Sequence, residues 1–373
     1  MSSNRHGLFA KVIENFLVPL GAGLQRLQWA RGNRSRVVLL STGLVGVVLA
    51  GSAAAQVGLT QFRAGDLPIT MVYPTTATAM HRQFGPFDLE VALDAAPSGG
   101  NGRLVVISHG SAGDAFTLHT LARTLALSGF VVAQPEHRGD NWQDQSDSGI
   151  VSWQRRPGEV SKTIDAVAAD PRFSGALRFD RVGVYGMSAC GVTGLALAGA
   201  DWSLSSLKEH CAAHIRDDAG FCLYGVRSQA EAAERAQSYF KPLQAGGEAG
   251  LAGAHARDSR VAVVALSVPV GAIFTRKSLA AIRVPVGIVE AEADQVLKPV
   301  YHSAAVLANC TACSRLDSVA GGGHFDTLSP WPDSIAKAAS LAPGGQRNPA
   351  VDDARRQQSY DRIASFFAEQ LAR

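Results

Sequence analysis

One segment constrains the fold of this chain more than any other: Val182-Gly-Val-Tyr-Gly186-Met187-Ser188-Ala189-Cys190-Gly191. A short apolar strand pattern runs into a glycine and a serine, then into small residues with helical character over 191–200. A strand that turns sharply into a helix at a serine needs small residues two positions before and two after it, because the two backbones approach closely. The serine is then strained, and the helix N-terminus offers free N–H groups to developing negative charge. The usual pattern is G-x-S-x-G. Here Cys190, still small, takes the last position and Gly191 follows it. An ordinary glycine-rich strand–helix turn shares this local pattern, so the wider chain has to decide.

Strand and helix signals alternate through that wider chain. Residues 69–73, 87–93, 104–107, 130–133, 182–185, 261–266, 286–290 and 316–319 read as strands, and 115–127, 159–169, 191–200 and 363–371 as helices. Short apolar strands interleaved with helices predict an α/β domain whose central sheet is mostly parallel and covered on both faces. Functional groups on such a sheet belong at the carboxyl ends of strands. Between 201 and about 260 the pattern changes to Ala, Gly, charges and His/Cys pairs, which reads as an inserted helical cap. With 46% hydrophobic and 18% charged residues in 373, the chain is globular rather than disordered. A net charge of +3 without a basic, aromatic-laced stripe excludes a nucleic-acid surface.

The N-terminus reads as a separate unit. Residues 1–36 carry six Lys/Arg and only Glu14 as an acid, and 37–62 carry no charge. An apolar run over 37–50 followed by Ala53-Ala54-Ala55 fits a signal peptide cleaved after Ala55. Uncleaved, the charge-free stretch is long enough to span a bilayer of ~30 Å, so membrane association through residues 1–62 is the alternative. The division expected is 1–55 as signal or anchor and 56–373 as the α/β domain, periplasmic or secreted. Export permits disulfides among the five cysteines; Cys211–Cys222 and Cys310–Cys313 are the close pairs, leaving Cys190 free. A zinc reading of His210, Cys211, His214 and Cys222 lacks the usual spacing, and no metal is expected.

Three more segments raise the serine above a plain turn. Leu104-Val-Val-Ile-Ser-His109-Gly110-Ser111-Ala112-Gly113 is an H-G-x-x-G loop after a strand. The backbone N–H groups of Ser111 and Ala189 are the expected oxyanion donors, and the His109 side chain is expected to hold the loop. Ala291-Glu292-Ala293-Asp294 follows a late strand, where a triad carboxylate belongs; Asp294 is preferred to Glu292 and Glu290. Ala320-Gly321-Gly322-Gly323-His324-Phe325 places a histidine after the last strand, and the order Ser, Asp, His fits this arrangement. Ser188, His324 and Asp294 are therefore the expected nucleophile, base and acid.

The segments VVISHGSAGD, GFVVAQPEHRGDNWQD, Trp153-Gln-Arg-Arg-Pro157, GVYGMSACGVTGLALAGA and GGGHFD resemble the predicted dienelactone hydrolase group and the bacterial platelet-activating-factor acetylhydrolase-like esterases, over most of residues 69–330. The resemblance implies an α/β-hydrolase fold and an esterase or lipase-like activity. Dienelactone hydrolases proper use a cysteine nucleophile, whereas this chain has Ser188, so ester cleavage is implied more than dienelactone chemistry.

Trp142, Trp153, Met187 and Phe325 flank the expected site and are either pocket walls or core aromatics. Arg155 and Arg156 read as a solvated pair or as contacts for an anionic substrate. The expected partner is a small-molecule or lipid ester. A lactonase, a polyester hydrolase, an amidase or a phospholipase-like enzyme fits the same triad. A non-catalytic envelope binding protein is the remote alternative. No phosphate or dinucleotide loop is present, so no cofactor is expected.

Overall fold

In a computed structural model of the chain, residues 56–223, 256–339 and 345–373 are described. The expected signal or anchor at 1–55 lies outside them, as do 224–255 of the expected cap. The strands are β1 Gln56–Ala64, β2 Leu67–Thr75, β3 Met80–Phe84, β4 Phe87–Leu93, β5 Arg103–Ser108, β6 Val131–Pro135, β7 Arg178–Met187, β8 Val261–Ser267, β9 Val286–Ala291 and β10 Cys313–Val319. The helices are α1 His119–Leu127, α2 Ile150–Ala169, α3 Cys190–Leu197, α4 Leu204–His214, α5 Ala219–Cys222, α6 Arg276–Ala280, α7 Ser303–Asn309, α8 Asp333–Ala339 and α9 Asp353–Ala372.

The strands form one sheet in the order β10-β9-β8-β7-β5-β6-β2-β1-β4-β3. From β10 through β6 every pairing is parallel; β2 joins β6 antiparallel and begins the mixed edge. Side chains alternate between the two faces, as a sheet buried on both sides requires. Leu104, Val106, Val182, Val184, Val264 and Leu266 join one cluster with α2 and α3. Val105, Ile107, Tyr185, Met187, Val263 and Ala265 join the other with α1 and α9. Fully burying each large apolar side chain stabilises the fold by ~1.5–3 kcal/mol before chain entropy is set against it.

Several boundaries differ from the sequence reading for local physical reasons. The helix expected from residue 115 begins at His119, because Asp114 Oδ1 accepts from the Phe116 and Thr117 N–H groups at 2.9 and 2.8 Å and closes a turn first. Helix α2 begins nine residues before the expected start at 159, and Pro157 and Gly158 lie inside it. Strand β3 went unread: Met80, His81, Arg82 and Gln83 are all exposed on the sheet edge and show no apolar alternation. Strand β1 hid in the charge-free run. Residues 56–62, which fall in the expected α/β domain and would end the spanning stretch only in the uncleaved alternative, pair along β2, with Leu59 opposite Val72. Among the described residues no helix is long and apolar enough to cross a membrane.

Within the expected cap, α4 and α5 are described, and their Leu207 and Phe221 line the same cavity as Ser188. The Cys211–Cys222 disulfide joins them, and Cys310–Cys313 forms the second bridge. Asp218, at the N-cap of α5, accepts from His210 Nε2 at 2.8 Å and from His302 Nε2 at 2.9 Å. His302 belongs to the core, so this carboxylate fastens the cap helices to the sheet domain. Burial opposes the charge on Asp218, but the two imidazole hydrogen bonds outweigh it and hold its carboxyl down at about 2. The disulfide takes both sulfurs of the His/Cys cluster. His302 Nδ1 already accepts the Gly271 N–H at 3.1 Å, so its Nε2 carries the proton and offers no lone pair to a metal.

Candidate active site

Ser188 caps β7 with φ of 57°, a left-handed conformation that a non-glycine residue holds only when its surroundings impose it. The surroundings here are explicit. Ser188 N donates to Ser267 O at 3.1 Å, and Val270 N donates to Ser188 O at 3.1 Å. A Cβ at Gly186 would collide with the Cys190 carbonyl, and one at Gly191 with Pro269. The turn is thus closed on both sides, and α3 starts directly after it. Cys190 fits because its side chain leaves the turn on the far side from the pocket.

His324 Nε2 lies 2.9 Å from Ser188 Oγ, and His324 Nδ1 lies 2.7 Å from Asp294 Oδ2. The partners assign the tautomer: Nδ1–H donates to the carboxylate, leaving Nε2 to accept the serine hydroxyl. Asp294 is fixed in turn, its Oδ1 accepting from the Val296 and Leu297 N–H groups at 2.8 Å each. The acid and base loops are stitched together by Ala293 N to Gly322 O at 2.8 Å. His324 and Asp294 are buried, whereas Ser188 is partly exposed. The competing acids point elsewhere: Glu290 binds Ser303 and Arg315, and Glu292 binds Ser318.

The oxyanion donors expected from sequence sit beside the serine. Among the described residues neither the Ser111 N–H nor the Ala189 N–H has a hydrogen-bond partner, and both residues line the same cavity as Ser188 and His324. The His109 ring holds the loop as expected: Nδ1 lies 2.8 Å from Gly110 O, and Nε2 accepts the His137 N–H at 3.1 Å.

The cavity has a volume of about 390 Å³. Trp142, Trp153, Met187 and Phe325, the four expected pocket residues, all line it. Other parts of the wall have no signal in the sequence, among them Phe87 from the mixed edge, Leu207, Ile215 and Phe221 from residues 204–222, and Trp331 and Ile335 beyond the base loop. These come from segments far apart in the chain, so no local pattern marks them. Among the described residues, Asp114 and Lys208 are the ionisable side chains besides His324 along a wall that is otherwise apolar or neutral. Burial pushes the Asp114 carboxyl up, against the Thr117 and Phe116 hydrogen bonds.

The two arginines depart from both expectations. Arg156 is completely buried and pairs with Asp140 at 2.6 Å. Arg155 pairs with Asp147 and Glu159. Neither lines the cavity.

A second serine–histidine–carboxylate line lies behind the first. Ser108 Oγ is 2.6 Å from His137 Nε2, and His137 Nδ1 is 2.6 Å from Glu159 Oε2. Ser108 and His137 are fully buried and line no part of the cavity. Burial pushes the His137 imidazole well below its ordinary pKa, helped by Arg156 and Arg155, so it stays neutral.

No protein-family model and no curated protein sequence matches the chain. Among solved structures it is similar to a ferulic acid esterase from Streptomyces cinnamoneus, at a TM-score of 0.53 and 18% identity, over 87% of this chain and 93% of that one. At that identity the likeness speaks for architecture. Together with the parallel sheet order, it establishes that this chain has the α/β-hydrolase fold.

Proposed function

We propose that this chain is a serine-dependent carboxylic ester hydrolase. The observation that carries the reading is the hydrogen-bonded line from Ser188 through His324 to Asp294, set at an apolar cavity beside two unpartnered backbone N–H groups. Ser188 Oγ attacks the ester carbonyl while His324 Nε2 takes its proton. Asp294 orients the ring and stabilises the imidazolium. The carbonyl oxygen, now negative, receives hydrogen bonds from Ser111 and Ala189, each such donor being worth ~3 kcal/mol of barrier. The imidazolium protonates the departing alcohol, and the acyl group stays on Ser188. Water, deprotonated by His324, then releases the acid and restores the serine.

The apolar walls favour an ester with at least one sizeable apolar arm, in keeping with a carboxylesterase or lipid esterase. The resemblance to dienelactone hydrolase-like and acetylhydrolase-like esterases supports the same class, as does the name of the ferulic acid esterase with the similar fold. No step calls on a metal or cofactor. Two disulfides accord with export to the periplasm or beyond, with residues 1–55 as signal or anchor. Hydrolysis of p-nitrophenyl esters of graded acyl length by the full chain tests the proposal. Turnover that rises from acetyl to longer acyl groups and survives a chelator supports it. A protein inert toward every ester leaves the envelope-binding reading in its place.

A further inference from the structure

Cys190, Arg156 and Asp140 lie behind the turn at Ser188, outside the triad and outside the cavity. Burying a guanidinium is unfavourable unless its whole fork is matched. For Arg156 the match is complete: Nε donates to Ser152 Oγ at 2.7 Å, Nη1 to His109 O and Cys190 Sγ at 2.6 Å each, and Nη2 to Asp140 O at 3.0 Å and Oδ2 at 2.6 Å.

What these partners have in common is position. His109 O opens the peptide stretch that leads to Ser111, one of the unpartnered N–H donors. Cys190 opens α3 directly after Ala189, the other. A single Nη1 group therefore touches both oxyanion-bearing segments, and the Cys190 thiol closes the triangle by donating to His109 O at 2.9 Å. Asp140 secures the far end of the loop. Its Oδ1 accepts the Ala112 N–H at 3.2 Å and Ser148 Oγ at 2.7 Å, and its Oδ2 accepts Ser111 Oγ at 3.2 Å. Ala112 has φ of 58°, a left-handed conformation that the Asp140 contact holds in place. The loop from His109 to Ala112 is thus gripped at each end, and the Ser111 N–H between the grips is left free.

The geometry points to Arg156, Asp140 and Cys190 as positioning residues that set the spacing of the Ser111 and Ala189 N–H groups and so tune oxyanion stabilisation, an inference that rests on the esterase reading. It also accounts for the departure from the usual G-x-S-x-G pattern. A glycine at 190 would leave the Arg156 fork one partner short and loosen the helix end from the loop, whereas a serine keeps a small polar group there.

The test compares Arg156→Lys, Cys190→Gly and Cys190→Ser in the full chain, using kcat and KM for a p-nitrophenyl ester. It adds inhibition by a trifluoromethyl ketone, which forms an oxyanion on Ser188, and by an alkyl amide, which does not. Misplacing rather than deleting oxyanion donors lowers rate by roughly 10- to 100-fold. Arg156→Lys is expected to lose kcat on that scale with KM within about threefold, and to weaken the ketone in proportion while leaving the amide unchanged. Cys190→Gly is expected to follow in the same direction, and Cys190→Ser to restore most of the rate. Wild-type kcat in both Arg156→Lys and Cys190→Gly overturns the inference, and so does equal weakening of ketone and amide. If Arg156→Lys does not fold, the Cys190→Gly and Cys190→Ser pair decides alone. A wild type that cleaves no ester and resists a fluorophosphonate overturns the underlying reading, whereas an active wild type with unaltered variants overturns this inference only.

Discussion

Among the described residues are two serine–histidine–carboxylate lines of nearly equal geometry, one at a cavity and one in the core. Ser188–His324–Asp294 spans contacts of 2.9 and 2.7 Å, and Ser108–His137–Glu159 spans two of 2.6 Å. Distances alone do not rank them. What separates them is their surroundings. Ser188 sits in a strained left-handed turn at the start of a helix, partly exposed, beside free N–H donors. Ser108 ends an ordinary strand, is fully buried, and shares its hydroxyl with Cys190 Sγ. A triad needs access, strain and an oxyanion site as well as hydrogen bonds, and the buried line serves to satisfy polar groups in the core.

The largest effect should separate the two serines. Ser188→Ala is expected to lower kcat by about 10⁴-fold or more with the melting temperature little changed. Ser108→Ala strands a buried imidazole nitrogen, costing ~1–3 kcal/mol of stability, with a far smaller change in kcat for the folded protein. Steady-state kinetics and thermal melts on both variants check this. Next come the carboxylates. Asp294→Asn disturbs the tautomer of His324 and should cost about 10⁴-fold in kcat, while Glu159→Gln should appear mainly as lost stability. Comparable rate losses in the two would erase the distinction.

The buried line also leaves a signature in pH. Burial holds His137 and His109 well below the ordinary histidine value of 6.5. The unfolded chain takes up protons at these positions as pH falls below about 6.5, and the folded chain does not. Stability contributed by the neutral rings is therefore full above that value and declines as pH drops, by up to ~1.4 kcal/mol per pH unit for each ring. Urea unfolding between pH 7 and 5 should show this fall. A flat profile contradicts the neutral state assigned to these rings.

The smallest effect concerns the cap. Opening Cys211–Cys222, which closes a short loop, removes ~2–3 kcal/mol of local constraint in a chain-entropy account. Substituting both cysteines by serine should raise KM for long-chain esters a few-fold and leave short-chain esters nearly unchanged.

Much of the proposed cavity-side triad is legible in the sequence because each member follows a local rule: small residues around Ser188, an acid after a late strand, glycines before His324. Asp294 is the preferred acid in the sequence, and its neighbours Glu290 and Glu292 are set apart from it in the fold by their bonds to Arg315, Ser303 and Ser318. Arg156 was misread as surface because pairing across 16 residues to Asp140 leaves no periodic trace. Strand β3 was missed for the complementary reason, an edge strand with an exposed polar face. The cavity wall was legible only where it lies beside the motifs; Phe221 and Trp331 reach it through the tertiary fold.

The most direct measurement is to label the full chain with a fluorophosphonate and map the adduct by peptide mass spectrometry. A nucleophilic Ser188 gives a stoichiometric adduct on that residue, lost in His324→Gln and absent from Ser108. An unlabelled protein, or an adduct on any other serine, contradicts it.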